Sequence, residues 1–429
     1  MSNQMLQVSP NRRFLTYTDG RPFFYLGDTA WELLHRCSLA EAERYLRDRA
    51  AKGFTVIQTV VLAECDGIHG PNACGDVPLH EGDPTRPNEA YFAHVDAVLA
   101  AAAALGLYVG LLPTWGDKWN RKRGAGPELF TPENAHSYGR FLGARYRAAP
   151  LIWILGGDRP VETPLHRAVI EAMAAGLRAG DEGRHLISFH PCGGASSAEP
   201  FHAAPWLDFN MWQSGHARNS PNHAGIAADY ARSPTKPCMD GEPGYEDHPA
   251  GFVLEQGYLD DYDVRKAAYW AVFAGAHGHT YGCHPIWQFW QPGRPPLSFV
   301  RRPWYEALDL PGASQMRHLR DLILSRPFLS RIPGQSLLVS APHAGTHHVQ
   351  ATQDADGSYA LVYIPDGQPV ELDTSRLADG PLVAGWYDPR TGTTQRISGT
   401  VERGGLQRFT PPPGGPDWVL TLDVATDPR

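Results

Sequence analysis

The chain has 429 residues, with a hydrophobic fraction of 42%, an aromatic fraction of 10% and a formal net charge of −8. Its length favours two domains over one, and its acidic balance argues against nucleic acid or an anionic membrane as the main partner. No stretch approaches the ~20 consecutive apolar residues that cross a bilayer, and six Cys are too few for a disulfide scaffold in a chain of this size.

The first three-quarters of the chain alternates short β-rich runs with helical patterns, which is typical of βαβ units. Several runs are apolar without alternation, as expected of strands covered on both faces. The predicted strands are residues 23–27, 55–62, 108–114, 151–156, 185–190, 207–212, 237–241 and 278–283. Eight such units within about 310 residues predict a (β/α)8 TIM barrel of the α/β class. The turn after the first run lacks the glycine-rich fingerprint of a doubly wound nucleotide-binding sheet.

The helices between these strands have recognisable N-terminal signals. Ser38 with Glu41 three residues later forms a capping box, in which both side chains satisfy free backbone N–H groups. Thr131 and Thr163 each precede a proline, so that a capping hydroxyl stands before Pro at the first helical position. We therefore expect helices to begin at these three places.

The pattern changes to an all-β one near Pro333. Six strand-like runs follow, separated by turns such as Asp356-Gly357, without a helical stretch of any length. The predicted strands are residues 336–340, 347–352, 359–364, 370–373, 382–387 and 418–424. Roughly 95 residues of this kind suit a small β-sandwich. The expected division is a barrel over residues 1–332 and a sandwich over residues 333–429.

The residues directly after each barrel strand are the candidates for a functional site, because the active site of this fold lies at the carboxyl ends of the strands. These positions are rich in aromatic, histidine and carboxylate side chains, a combination that suits sugar rings and their hydroxyl groups. No Ser nucleophile elbow, phosphate loop or dinucleotide fingerprint is present. The candidates for sugar contacts are Asp28, Trp31, Trp115, His190, Trp212, Tyr281 and Trp287.

Two carboxylates stand out as candidate catalytic groups. Asp158 ends the fourth strand after two glycines, which allow close approach of a ligand, and Glu242 ends the seventh strand before a proline that favours extended backbone. The fourth and seventh strands face each other across an eight-stranded barrel. Glycoside cleavage needs such a pair, with retention of configuration at a separation of ~5–5.5 Å and inversion at ~6.5–9.5 Å. The alternatives are a capping role for Asp158 and a structural ion pair for Glu242, with Asp240 and Glu246 as competing candidates.

Two other groups of residues carry weaker hypotheses. His277, His279 and His284 could suggest a metal-dependent hydrolase, but no Asp completes a metal set nearby in sequence, so hydrogen-bonding histidines without a metal or other cofactor are expected. A basic run follows the third strand, and such a run is most often a solvated loop. Because it lies on the active-site face of an acidic protein, we also hypothesise that it receives an acidic glycan such as a pectic fragment. The basic run consists of Lys118, Arg121, Lys122 and Arg123.

Four segments in order resemble the apiosidase-like glycoside hydrolases, namely glycoside hydrolase family 140 and its relatives. The segments are Gly27-Asp28-Thr29-Ala30-Trp31, Ile152-Trp153-Ile154-Leu155-Gly156-Gly157-Asp158, Asp240-Gly241-Glu242-Pro243-Gly244-Tyr245-Glu246 and Gly278-His279-Thr280-Tyr281-Gly282. The segment from Ala384 to Gly392 is similar to the collagen-binding type of β-sandwich that follows the barrel in that family. The resemblance runs from about residue 8 to the C-terminus.

The resemblance implies a retaining mechanism with Asp158 as acid/base and Glu242 as nucleophile, and it implies release of apiose from a pectic polysaccharide. The resulting hypothesis is an exo-acting retaining glycosidase for plant-derived oligosaccharides. The alternatives are an arabinosidase or endoglycanase-like specificity and a non-catalytic carbohydrate-binding barrel. We expect the sandwich to brace the barrel through Trp386 and Tyr387, and we expect a cytoplasmic location unless a leader was removed, since the N-terminus lacks the apolar segment of a secretory signal. The oligomeric state stays open.

Overall fold

The computed structural model describes residues 4–339, 345–399, 401 and 403–425. A small antiparallel sheet opens the chain and packs against one end of the barrel that follows. Its Leu6, Leu15 and Phe23 share one apolar cluster with Tyr25 and Tyr108, which begin two barrel strands. The sheet therefore closes the amino end of the barrel, opposite the carboxyl ends of the strands. Its strands are β1 (Leu6–Val8), β2 (Leu15–Tyr17) and β3 (Pro22–Phe23).

A parallel sheet forms a nearly closed barrel, which confirms the predicted fold class. The strands are β4 (Tyr25–Thr29), β5 (Val56–Leu62), β6 (Tyr108–Thr114), β7 (Leu151–Gly156), β8 (Ile187–His190), the short β9 (Ala195–Ser196), β10 (Asn210–Gln213), β11 (Cys238–Asp240) and β12 (Gly278–Tyr281). Their order is β8-β7-β6-β5-β4-β12-β11-β10-β9, in which only β9 is antiparallel to its neighbour. The backbone N–H of Asp208 donates to the carbonyl of Ile187 at 2.8 Å, which joins the start of β10 to β8 and brings the ends of the sheet together.

Side chains of the barrel strands alternate between two apolar clusters. Tyr25 and Trp31 belong to the interior cluster, whereas Leu26 packs in the outer cluster between the strands and the helices. On β10, the Met211 side chain points into the interior cluster, whereas the side chains of its neighbours along the strand do not. This period of two decides which residues at the strand ends can reach a site at the mouth of the barrel.

The helices surround the barrel and begin where the capping residues predict. Ser38 and Glu41 form the capping box of the helix that begins at Leu39, and Thr131 and Thr163 accept hydrogen bonds from backbone N–H groups at the starts of the helices that begin at Pro132 and Pro164. The helices are α1 (Leu33–Arg36), α2 (Leu39–Ala51), α3 (Glu89–Ala104), α4 (Pro132–Tyr146), α5 (Pro164–Asp181), α6 (Ala198–Phe201), α7 (Asn222–Tyr230), α8 (Asp261–Phe273), α9 (His284–Trp287), α10 (Trp304–Ala307) and α11 (Pro311–Leu324). Within the described ranges, none combines the length and hydrophobicity that crossing a membrane requires.

The C-terminal part consists of antiparallel sheets. Its strands are β13 (Arg331–Pro333), β14 (Gln350–Asp354), β15 (Tyr359–Ile364), β16 (Val370–Asp373), β17 (Leu382–Asp388), β18 (Thr393–Arg396), β19 (Leu406–Phe409) and β20 (Trp418–Val424). One sheet has the order β13-β14-β15-β20-β17-β18, and β16 pairs with β19. Because β13 spans the predicted boundary at residue 332, the division of the chain there remains a prediction.

Two expectations for this part were wrong. Residues 336–340 were predicted to form a strand, but Gln335–Leu337 is a 3-10 turn, and Ser340 lies outside the described residues. Two strands, β18 and β19, were missed because neither has apolar alternation, and all four residues of β18 are exposed.

The sandwich contacts the barrel through buried polar groups. Arg265 on α8 donates from Nε and Nη2 to the two carboxylate oxygens of Asp417 at 2.7 and 2.9 Å, and both side chains are fully buried. The Tyr387 hydroxyl donates to the carbonyl of His318 on α11 at 2.8 Å. Tyr387 thus contacts the barrel as expected, whereas Trp386 packs in the core of the sandwich.

Candidate active site

A cleft opens at the carboxyl ends of the barrel strands and contains both candidate catalytic carboxylates. Asp158 and Glu242 line a cavity of about 460 Å³, and both also line an adjoining cavity of about 440 Å³. The two carboxylates therefore stand where the two lobes of one cleft meet. A substrate that occupies both lobes passes over them.

The backbone at the end of β7 turns Asp158 toward the cleft. Gly156, Gly157 and Asp158 have successive left-handed φ values of 96°, 100° and 57°. A Cβ on Gly156 would lie 2.3 Å from the carbonyl oxygen of His190, and one on Gly157 would lie 2.6 Å from the backbone nitrogen of Gly116. The two glycines are thus required by close backbone approach as well as by φ. Since Thr163 caps the following helix, Asp158 is not its N-cap.

Asp158 is a half-buried carboxyl whose pKa is raised. Arg159 donates from Nη1 to its Oδ2 at 2.8 Å. Burial, followed by the negative charge of Glu242, raises the pKa of Asp158, while the positive charge of Arg159 opposes the rise. The balance favours the protonated form of Asp158 to a higher pH than in an isolated aspartate.

Two histidines contact the carboxylate of Glu242. His190 Nε2 lies 2.7 Å from Oε2 and His216 Nε2 lies 3.4 Å from Oε1. The His190 contact is the shorter of the two, and His190 has the larger influence on the Glu242 carboxylate. Burial alone would raise the pKa of Glu242, but hydrogen bonding from His190 and then from His216 outweighs burial and holds the pKa far below its ordinary value.

His190 connects the two carboxylates. The backbone N–H of Asp158 donates to His190 Nδ1 at 3.2 Å, so the ring proton is assigned to Nε2, which faces Glu242. His190 is fully buried beneath the cleft and packs against Trp31 and Trp115, with ring centroids 5.3 and 5.8 Å away. It therefore acts on the cleft through its neighbours and does not line it.

Three predicted tryptophans line the cleft. Trp31, Trp115 and Trp287 lie on the wall of the first lobe. Trp31 donates from Nε1 to the Tyr245 hydroxyl at 3.1 Å, and Trp287 donates to His284 Nδ1 at 3.1 Å. Fixed aromatic faces beside two carboxylates are suited to the apolar faces of a sugar ring.

The structure does not bring Asp28, Trp212 or Tyr281 to the cleft. Asp28 is fully buried toward the helices, where it accepts from Arg49 Nε at 2.5 Å and from the Tyr45 hydroxyl at 2.6 Å. Trp212 packs beside α7, and Tyr281 donates its hydroxyl to Glu246 in the outer layer. Side chains alternate along each strand, and these three have the outward phase.

The cleft contains residues that the sequence reasoning missed. Gln213, one position after Trp212, lines the second lobe and hydrogen-bonds Asp158. Glu64 follows β5, lines the first lobe and contacts Arg159 Nη2 at 3.3 Å. Burial raises the pKa of Glu64 to about 7, against the charge of Arg159. Tyr245 also lines the first lobe and lies within a motif already singled out, where its spacing from Glu242 could have identified it.

The competing carboxylates and the histidine group have other surroundings. Asp240 is buried and accepts from Ser214 Oγ at 2.7 Å and Asn222 Nδ2 at 2.9 Å. His277 and His279 are buried, and their ring nitrogens have no hydrogen-bond partner among the described residues, so the expectation of hydrogen-bonding histidines was wrong for these two. It is confirmed for His284, which accepts from Trp287 Nε1 at 3.1 Å. In the described part of the chain, no three His, Cys, Asp or Glu side chains are arranged to hold a metal ion.

The basic run after β6 divides between the interior and the cleft. Lys118 is buried and pairs with Asp117 at 2.6 Å, so it is not part of a solvated loop. Lys122 lines the second lobe beside its ion-pair partner Glu162, and Arg123 lines both lobes. Arg123 and Lys122 are therefore the members of the run that face the cleft.

Comparisons with known proteins agree with this site. Residues 9–330 match the family described as "Apiosidase-like, catalytic domain", and residues 332–423 match "Putative collagen-binding domain of a collagenase". A solved structure titled "Glycoside hydrolase" is 35% identical over 99% of this chain and 98% of its own, with a TM-score of 0.90. The crystal structure of a glycoside hydrolase family 5 from Bacteroides vulgatus is 33% identical over 98% of this chain and 94% of its own, also at a TM-score of 0.90.

More distant structures share only the fold. A glycoside hydrolase family 5 mannosidase from Rhizomucor miehei is 12% identical over 76% of this chain and 99% of its own, with a TM-score of 0.53. A comparison with curated proteins gives no match. The match over residues 9–330 and the two similar glycoside hydrolases show that this chain is a glycoside hydrolase and belongs to the apiosidase-like family.

Proposed function

We propose that this glycoside hydrolase is an exo-acting retaining β-apiosidase that acts on pectic fragments. The observation that carries the catalytic part is that one cleft holds two carboxylates whose pKa values are shifted in opposite directions, that of Asp158 upward and that of Glu242 downward. Opposite shifts of this kind separate a proton donor from an ionised nucleophile.

The proposed reaction has two steps. Asp158 gives its proton to the glycosidic oxygen while a Glu242 oxygen attacks the anomeric carbon, so the C–O bond breaks, the remainder of the substrate leaves as an alcohol and the sugar is held on Glu242. Asp158, now a carboxylate, then takes a proton from water. The water oxygen attacks the same carbon, releases Glu242 and frees the sugar.

The surroundings of Asp158 and Glu242 support their proposed roles as acid/base and nucleophile. His190 and His216 stabilise the charged form of Glu242, as a nucleophile requires. Burial and the charge of Glu242 keep Asp158 protonated to a higher pH, and this second effect is lost when Glu242 becomes neutral as an ester. The fall in the pKa of Asp158 that follows suits its change from acid to base.

The mechanism is tested with Asp158→Asn and Glu242→Gln, each expected to lower kcat by about three orders of magnitude or more while glycan binding persists. Leu406→Ala, an exposed residue of the sandwich, is the control. Proton NMR of the first product gives the stereochemistry. An initial product of inverted configuration, or full activity in either carboxylate variant, would overturn the proposal.

The substrate is proposed from the family and from the charge of the second lobe. Arg123, Lys122 and Arg159 line that lobe, so an acidic sugar in the remainder of the substrate has nearby cations. A panel of aryl β-apiosides, arabinosides and glucosides tests the released sugar, and turnover of an arabinoside in place of the apioside would favour an arabinosidase. Arg123→Glu should raise KM for a uronate-bearing oligosaccharide several-fold at low salt, and a KM that does not change with salt in either protein argues against an acidic substrate.

A further inference from the structure

Exposed apolar side chains from two loops border the cleft. Phe252, Val253 and Leu254 follow β11, and Phe299 follows α9; we call these four residues the apolar rim. Their exposed fractions are 55%, 39%, 43% and 56%, which is unusual for large apolar residues that are close together. Grouped exposed apolar residues generally mark a binding surface.

The apolar rim continues the cleft outward. Phe252 lines both lobes, and Ser298, directly before Phe299, lines the first. The hydroxyl of Tyr258, at the end of the first loop, donates to the carbonyl of Phe299 at 3.0 Å. His284 Nε2 lies 2.9 Å from the carbonyl oxygen of Ser298, which ties the second loop to the floor of the cleft. The two loops thus form one edge of the same opening.

Both phenylalanines of the apolar rim have an unfavourable backbone conformation. The φ values of Phe252 and Phe299 are 64° and 62°, in the left-handed region that a bulky residue rarely adopts. A glycine would occupy either position without strain. The Phe252 ring packs edge-on against His216 and His248, with ring centroids 5.4 and 4.6 Å away. The Phe299 ring is 56% exposed, and burial does not explain its strained backbone, so a role on the surface is the simpler explanation for Phe299.

We propose that the apolar rim is an outer sugar-binding subsite, on which a unit of the substrate beyond the cleaved bond stacks against the Phe299 ring. The inference rests on the proposed function in one respect: the substrate must be a glycan that extends beyond the sugar released by cleavage. Four side chains are too few for a stable contact with a second copy of this chain, which needs about 1,000 Å² or more of buried surface. A sugar ring is smaller, and the apolar rim is continuous with the site where a sugar must already bind.

The test compares a short and a long substrate. The short one is p-nitrophenyl β-apioside, and the long one is an apiosyl-bearing oligogalacturonide of at least four units. In Phe299→Gly the ratio of kcat/KM for the long substrate to that for the short one should fall about tenfold, which corresponds to the loss of one aromatic contact. Phe299→Gly also removes the backbone strain, so its melting temperature should not decrease. Phe299→Tyr should keep the ratio.

Leu406→Ala is the matched control, since Leu406 is 64% exposed and lies on the sandwich. An unchanged ratio in Phe299→Gly, or an equal fall in Leu406→Ala, would overturn the inference. Sedimentation velocity tests whether a second copy of this chain occupies the apolar rim instead. A wild-type dimer that dissociates in Phe299→Gly would show that the apolar rim is a contact between copies.

The outer subsite can also be tested if the protein proves not to be an apiosidase. If wild-type protein does not cleave the apioside, the ratio is measured with whichever aryl glycoside it does cleave and an oligosaccharide ending in the same sugar. Tryptophan fluorescence of the Glu242→Gln protein, titrated with that oligosaccharide, gives a second reading that needs no turnover. Equal affinity with and without Phe299→Gly in that background would also overturn the inference.

Discussion

At the residue scale, Arg159 is shared between two carboxyl groups of the cleft. Its Nη1 contacts Asp158 at 2.8 Å and its Nη2 contacts Glu64 at 3.3 Å, while its own side chain is only 4% exposed. A buried cation at this place limits the rise in the pKa of Asp158 that burial and Glu242 produce. Arg159 therefore lowers the highest pH at which Asp158 can still donate a proton.

Arg159→Gln should move the alkaline limb of the pH–activity profile to higher pH. The sign follows from the charge: the cation lowers the pKa of Asp158, so without it Asp158 stays protonated to a higher pH and activity persists there. The measurement is kcat/KM against pH for the wild-type and variant proteins.

Arg159→Lys is the control, because it keeps the positive charge and should keep the limb near its wild-type position. A limb that does not move in Arg159→Gln, or that moves to lower pH, would show that Asp158 is not the group that titrates there. Thermal melting of both variants separates this effect from partial unfolding of a protein that has lost a buried side chain.

At the element scale, the phase of each strand decides which of two neighbours reaches the cleft. On β10, Gln213 lines the second lobe whereas Trp212 packs beside α7, where a Cβ on Gly225 would lie 2.6 Å from the Trp212 ring. A strand alternates its side chains, so adjacent residues have different roles even at the mouth of the barrel.

Gln213→Leu should lower kcat about tenfold with little change in stability, because it loses one hydrogen bond to Asp158. Trp212→Leu should lower the free energy of unfolding by about 2 kcal/mol and leave KM unchanged, because it removes packing outside the cleft. Steady-state kinetics and urea unfolding of both variants test these two predictions. The reverse outcome, with KM altered by Trp212→Leu alone, would contradict the assigned phase.

At the scale of the whole molecule, the sandwich is joined to the barrel by an ion pair with almost no exposure to solvent. Arg265 and Asp417 are 1% and 0% exposed, and the Tyr363 hydroxyl donates to the same aspartate at 3.0 Å. Removing one partner of a buried pair generally costs about 3–5 kcal/mol. Without Asp417, the carboxylate that Arg265 would still contact is that of the partly exposed Asp261, at 2.9 Å.

Asp417→Ala should therefore destabilise the barrel together with the sandwich. We expect a decrease of about 3 kcal/mol or more in the free energy of unfolding. Activity and tryptophan fluorescence should be lost together in a single unfolding transition. Asp423→Asn is the control: its partner Arg326 is 17% exposed and Asp423 is 38% exposed, so the change should cost less than about 1 kcal/mol. A sandwich that unfolds at lower denaturant while the barrel keeps its midpoint would show that the two parts are energetically separate.

The sequence by itself determined the features that depend on neighbours along the chain. The predicted bounds of β6 and β7 agree with the structure, as do the capping residues of α2, α4 and α5. Apolar runs, turns and caps are local, so their physics can be read from a few consecutive residues. The two glycines before Asp158 were read from the sequence as allowing close approach of a ligand, whereas their left-handed φ values and the backbone atoms packed against them came only from the structure.

Only the tertiary structure decided which side chains meet. A period of two predicts alternation but not its phase, so Asp28 and Trp212 were assigned to the cleft, although one pairs with Arg49 and the other packs beside α7. Glu64 lies far along the chain from Arg159, and Arg265 lies 152 residues from Asp417. Contacts at such separations depend on how the barrel closes and on how the sandwich packs against it, and no local pattern carries that information.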